Sequence, residues 1–153
     1  QGDVEGVDYH FVTAEVFEAM VAGGEFLEWA GVFGKRYGTP KAWVFEQIKR
    51  GRLVILEIDV QGAIQVKRQI PEAFAVFILP PSEDVLLGRL RARKRESEEA
   101  IQRRFAEARR EMEVARESGV YDAFIVNREV TEAIGEAVGL IEPRRRERSA
   151  RTG

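Results

Sequence analysis

Three short stretches of this chain hold side chains that could do chemistry together. Leu56-Glu57-Ile58-Asp59-Val60-Gln61-Gly62 sets two acids at the end of an apolar run. The carboxyl end of a buried strand is where α/β sheets bind their ligands. A solvated Asp59 that simply caps the next helix is the competing reading. Gly31–Thr39 (GVFGKRYGT) is a glycine-containing turn with Tyr37 and Thr39 at its exit. A tight loop accounts for the glycines but not for the tyrosine and the hydroxyl. Glu28, between Leu27 and Trp29, is a carboxylate in an otherwise apolar strand, which alternation would also allow on a solvent face.

The elements that position these residues can be read from periodicity. Asp8–Val12 reads as a short strand. Thr13 can cap a helix carrying Val16, Phe17, Met20 and Val21 on one face, ended by Gly23-Gly24. Phe26–Phe33 is strand-like, and Thr39-Pro40 opens a helix with proline at its first position, stopping at Gly51. Leu53–Ile58 and Phe74–Leu79 are apolar runs that suit strands buried on both faces of a parallel sheet, with a helix from about Val60 to Gln69 between them. Ser82 starts a helix to about Arg93. Ser97 starts a longer one with Ile101, Phe105, Ala108, Met112 and Ala115 at helical spacing. Ala123–Val126 is a further strand and Thr131–Ile141 a last helix. Strands alternating with helices predict an α/β fold with a mostly parallel sheet.

Bulk properties narrow the field. The chain has 153 residues, enough for one domain with its own core, and 33% of them are charged. A formal net charge of -2 argues against a general nucleic-acid binder. There is no cysteine, which excludes disulfides and thiolate metal sites. No apolar run approaches the roughly 20 residues that a membrane helix needs. His10, the single histidine, reads as structural. Pro143 to Gly153 is Arg-rich without an apolar stripe and predicts a disordered basic tail.

The ordered set GxDYxFV, EFLEWA, YGT-P, LEIDVQG, FILPPS, RLRAR, SEE, IQRRFAEARREME and FIVN resembles the guanylate kinase family over about residues 2–141. Each motif is weak alone, and their order is specific. The resemblance implies a P-loop-kinase-like parallel sheet flanked by helices, with a strand-rich GMP-binding insertion and a helical lid. It divides the chain into a GMP-binding subdomain (1–45), core (46–81), lid and following helix (82–107), core (108–142) and tail (143–153). The implied activity is transfer of the γ-phosphoryl of ATP to GMP, with Mg2+, in the cytoplasm, with no nucleic-acid or membrane partner.

The resemblance also implies roles. Glu28, with Thr39 and Asp59, would read guanine, whose N1–H and N2–H present two donors to a carboxylate where adenine does not. Tyr9 and Tyr37 match tyrosines that hold the GMP phosphate, with Gly38 beside them. Glu57 matches an acidic position near the ribose or the metal's water shell. Arg89, Arg93 and Arg104 match arginines that close over the transferred group, and phosphoryl transfer asks chiefly for such positioning and charge compensation. Asn127, together with Arg93, matches the ATP side, although a strand-end Asn127 with no ligand also fits. No residue of the chain is expected to ligate a metal.

Some of the family's pattern does not appear. No GxxxxGK[ST] segment occurs in these residues, and Gly23-Gly24 lacks the lysine and the context to stand in for one. The chain opens on Gln1, with Met20 and Met112 its two methionines. Together these predict an amino-terminally truncated chain without the P-loop strand, marginally stable and inactive alone. A non-catalytic guanylate-kinase-like binding module is the alternative. Lys94-Arg95, Arg36 and Arg128 also stand where the family usually has Gly-Thr, an aromatic and an acid.

Overall fold

The computed structural model describes residues 9–32, 34–92 and 97–150. The chain forms two compact units, Gln1–Gln69 and Ile70–Gly153, coarser than the five-part division expected from sequence.

In the first unit, helix α1 (Ala14–Ala22) begins where Thr13 Oγ1 accepts the Val16 N–H at 3.3 Å, as the cap pattern implies. Phe17 is its buried residue and meets the Phe26 ring at 4.7 Å between centroids. Strands β1 (Phe26–Val32) and β2 (Lys35–Pro40) pair antiparallel, with Glu28 opposite Thr39 and Ala30 opposite Tyr37. Gly38 is dictated by close approach, because a Cβ there would lie 2.7 Å from the Phe26 ring. Arg36 has a packing task of its own. Its guanidinium lies 5.0 Å over the Phe17 ring, pairs with Glu18 at 3.3 Å and donates to the Ala14 carbonyl, tying β2 to α1.

Helix α2 (Lys41–Lys49) starts one residue later than expected, with Pro40 as its N-cap. Helix α3 (Val60–Gln69) matches its expected span. Leu53–Ile58 does not. It is extended, with side chains alternating between exposed and half-buried, but it pairs with no strand among the described residues, and Ile55 is 75% exposed. A strand exists only through its neighbours' backbone, which a local apolar run cannot guarantee. Of the expected strand Asp8–Val12, Tyr9 makes an isolated bridge, residues 10–12 form no strand, and Asp8 lies outside the described residues. Phe26, Leu27, Val44, Val60, Ala63 and Val66 complete the buried core of this unit.

In the second unit, β3 (Val76–Leu79) and β4 (Ala123–Val126) pair in parallel, Val76 opposite Ala123. The crossover between them carries α4 (Glu83–Ala92) and α5 (Glu98–Ser118). Ser97 caps α5 through the Ala100 N–H, and Ile101, Met112 and Ala115 are buried at the expected helical spacing. Ion pairs at both ends join the two helices, Arg91 to Glu98 at 2.5 Å and Arg109 to Glu83 at 2.9 Å.

Helix α6 (Val130–Ala150) continues past Pro143 through most of the residues expected as a disordered tail. Side chains hold this stretch. Arg144 donates to the Leu140 carbonyl at 2.8 Å, and its guanidinium lies 3.7 Å from the Phe74 ring centroid. Glu142 pairs with Arg145 at 3.3 Å and Arg146 at 3.9 Å. Composition counted these arginines only as solvated charge, whereas at three- and four-residue spacing they are helix partners.

Candidate functional site

Glu28 is the most unusual side chain in the first unit. β1 turns it inward, where it is 7% exposed. Thr39, directly across the hairpin, donates its hydroxyl to Glu28 Oε1 at 2.5 Å. The other oxygen, Oε2, faces Gly62 of α3, where an added Cβ would lie 3.1 Å away. Among the described residues this carboxylate has the one hydroxyl and no ion pair. A carboxylate has more acceptor sites than one hydroxyl fills.

Asp59 stands at the start of α3, and its Oδ1 accepts the Gly62 N–H at 2.7 Å. The helix-cap role weighed from sequence is therefore real. Asp59 and Glu28 both approach Gly62, the former at 3.4 Å from its added Cβ. Glu57, two residues earlier, is exposed. Tyr37 is two residues from Thr39 in β2, and its ring packs on that of Tyr9 at 5.4 Å between centroids. Tyr9 is exposed and Tyr37 half-buried.

The second unit holds the remaining expected residues. Arg89 on α4 donates to the Asn127 carbonyl at 2.9 Å and to the Arg128 carbonyl at 3.4 Å. Asn127, just beyond β4, has a buried Oδ1 that no donor reaches among the described residues. Arg104 is half-buried on α5. Arg93 and the Lys94-Arg95 pair lie outside the described residues. Hydrogen bonds from Arg91 and Gln102 hold the Glu98 carboxyl below the usual carboxylate range, and the bond to Glu98 in turn raises Arg91. The Ser97 hydroxyl and the helix-start backbone lower Glu99 likewise.

Sequence reasoning missed two residues that touch this architecture. Gln65 on α3 makes two hydrogen bonds to the backbone of Trp29, accepting from its N–H at 3.2 Å and donating to its carbonyl at 2.9 Å. Gln69 donates to the Leu27 carbonyl at 2.6 Å. The available signal was Gln61, Gln65 and Gln69 recurring every four residues along one helix.

The Guanylate kinase family model matches residues 1–143. A guanylate kinase of Neisseria gonorrhoeae is 46% identical over 153 residues, covering all of this chain and 73% of that protein. One from Symbiobacterium thermophilum is 47% identical over 140 residues, covering 92% of this chain and 65% of that protein. The crystal structure of guanylate kinase from Anaplasma phagocytophilum superposes with a TM-score of 0.74 at 31% identity, over 95% of this chain and 69% of that one. The chain thus spans about two thirds to three quarters of the proteins it matches. A mixed α/β fold, a buried carboxylate bonded across a hairpin and relatives matched along the whole sequence lead to one conclusion: this chain belongs to the guanylate kinase family.

Proposed function

We propose that this chain reads GMP through Glu28, Thr39 and Asp59 and serves the family reaction, transfer of the γ-phosphoryl of ATP to GMP giving ADP and GDP. The observation that carries the reading is the buried Glu28 carboxylate, bonded to Thr39 and matched by no cation among the described residues. Guanine's N1–H and N2–H would donate to it. Because Thr39 spends its proton on Glu28, its oxygen retains lone pairs to accept from the guanine amino group. Adenine lacks the N1–H and N2–H donors and would leave the carboxylate buried and unpaired, which is what makes rejection strong.

Tyr9 and Tyr37 are assigned to the GMP phosphate through their hydroxyls, Gly38 to the same GMP site in the strand that carries Tyr37 and Thr39, and Glu57 to the ribose side. Arg89, Arg93 and Arg104, in the lid and following helix, are assigned to charge compensation as a GMP phosphate oxygen attacks the γ-phosphorus and ADP departs. The orphaned Asn127 Oδ1 supports a place on the ATP side, since a buried acceptor calls for a donor such as the adenine amino group. Mg2+ enters with ATP in this reaction and offsets charge on the phosphates. Among the described residues no three His, Asp or Glu side chains group to hold a metal ion, and the roles given are those of the chain's own side chains. We place the reaction in the cytoplasm, where its nucleotides are held, with no nucleic-acid or membrane partner.

Steady-state kinetics of Glu28→Gln against the unaltered protein test the assignment. The amide cannot accept from both guanine donors in the same way, and the GMP KM rises by about 100-fold while the ATP KM stays within about twofold. An unchanged GMP KM removes Glu28 from base recognition.

A further inference from the structure

Among the described residues β1 is bonded along one edge, to β2. Its other edge offers the backbone groups of Leu27 and Trp29, which flank Glu28 and point away from the hairpin. An uncovered edge of this kind normally takes a neighbouring strand. In this fold α3 covers it, through side chains. The Gln65 amide accepts from the Trp29 N–H and donates to the Trp29 carbonyl, the same pair of bonds that a strand would make. The Gln69 amide donates to the Leu27 carbonyl.

The spacing explains why glutamines four apart can do this. Four helical residues rise roughly 6 Å, and two strand residues advance roughly 6.7 Å. Gln65 and Gln69 on α3 therefore register with Trp29 and Leu27 on β1. Both peptide groups around Glu28 are gripped on the outer edge while Thr39 holds its carboxylate from the inner one. One turn earlier on the same helix, Gly62 leaves the room that Glu28 Oε2 occupies.

We propose that Gln65 is a positioning residue for guanine recognition, acting as a surrogate strand that fixes the depth and angle at which Glu28 presents its carboxylate. This rests on the reading of Glu28 as the base-reading group. It extends that site to a side chain that hydrogen-bonds to the backbone of Trp29, the residue after Glu28.

Isothermal titration with GMP across four proteins separates the two ideas: the unaltered chain, Gln65→Met, Glu28→Gln and the double variant. Methionine keeps the length and apolar bulk of glutamine but makes neither hydrogen bond. Losing both bonds weakens GMP binding by about tenfold in the Glu28 background. In the Glu28→Gln background the same change alters GMP affinity by less than about twofold, because the group being positioned is gone. Equal loss in both backgrounds marks Gln65 as merely structural and overturns the proposal, as does GMP binding by Gln65→Met at the unaltered affinity. GMP binding by Glu28→Gln at the unaltered affinity instead overturns the underlying reading. Should a thermal melt find Gln65→Met unfolded, Gln65→Glu decides in its place. It keeps the acceptor for the Trp29 N–H and turns the second bond into a repulsion. Its GMP affinity must then fall while its melting transition persists; retained affinity refutes the positioning role.

Discussion

At the scale of single residues the site is a matter of where a few atoms can fit. Gly62 shows this best. In an open helix, replacing glycine with alanine gains about 1 kcal/mol. At position 62 the new methyl would stand 3.1 Å from both Glu28 Oε2 and the Ile58 Cβ. The two effects oppose each other in stability but not in recognition. Gly62→Ala is expected to leave the unfolding free energy within about 1 kcal/mol and to weaken GMP binding at least about fivefold, since small misplacements of a reading group are costly. Denaturant titration and calorimetry read the two quantities, and a stabilised variant with unaltered affinity would show that Glu28 can yield. Glu28, Thr39 and Asp59 were legible as candidates through the ordered family motifs, although a strand-face acid, a hydroxyl after a turn and a helix-capping acid are each ordinary alone. Gln65 was not, because a glutamine on a helix looks like surface until its backbone partner, 36 residues away, is seen.

At the scale of elements, local chemistry was readable and pairing was not. The caps at Thr13 and Ser97 and the buried face of α5 depend on residues within a few positions of one another, and the structure has them as the sequence implies. Leu53–Ile58 needed a neighbour to become a strand, and α6 passes Pro143 on contacts that composition does not reveal. The α4–α5 hairpin is also where pH acts. Hydrogen bonds to Arg91 and Gln102 depress the folded pKa of Glu98, so its contribution is complete above the ordinary carboxylate range. It is lost as pH falls through the depressed value. Hydrogen exchange of the first-turn amides of α5 should stay constant relative to the rest of the helix from neutral pH down to the ordinary range, then accelerate below it. In Glu98→Gln that acid step should shrink. An undiminished step would place the titration elsewhere.

At the scale of the whole molecule, stability lies in a few closed positions and not in the apolar runs as such. Ile125 is fully buried in β4, whereas Ile55, in an equally apolar run, is 75% exposed. Ile125→Ala should cost about 2–5 kcal/mol, and Ile55→Ala in this chain less than about 0.5 kcal/mol, both from denaturation midpoints. Equal costs would mean that the two runs share one environment. No helix among the described residues is long and apolar enough to cross a membrane. The division into Gln1–Gln69 and Ile70–Gly153 has an optical consequence. Both tryptophans, Trp29 and Trp43, fall in the first unit, and the two 21-residue helices α5 and α6 fall in the second. Tryptophan emission therefore watches one half of the chain while helix ellipticity is weighted towards the other. The two signals coincide on melting only if both halves unfold as one cooperative body.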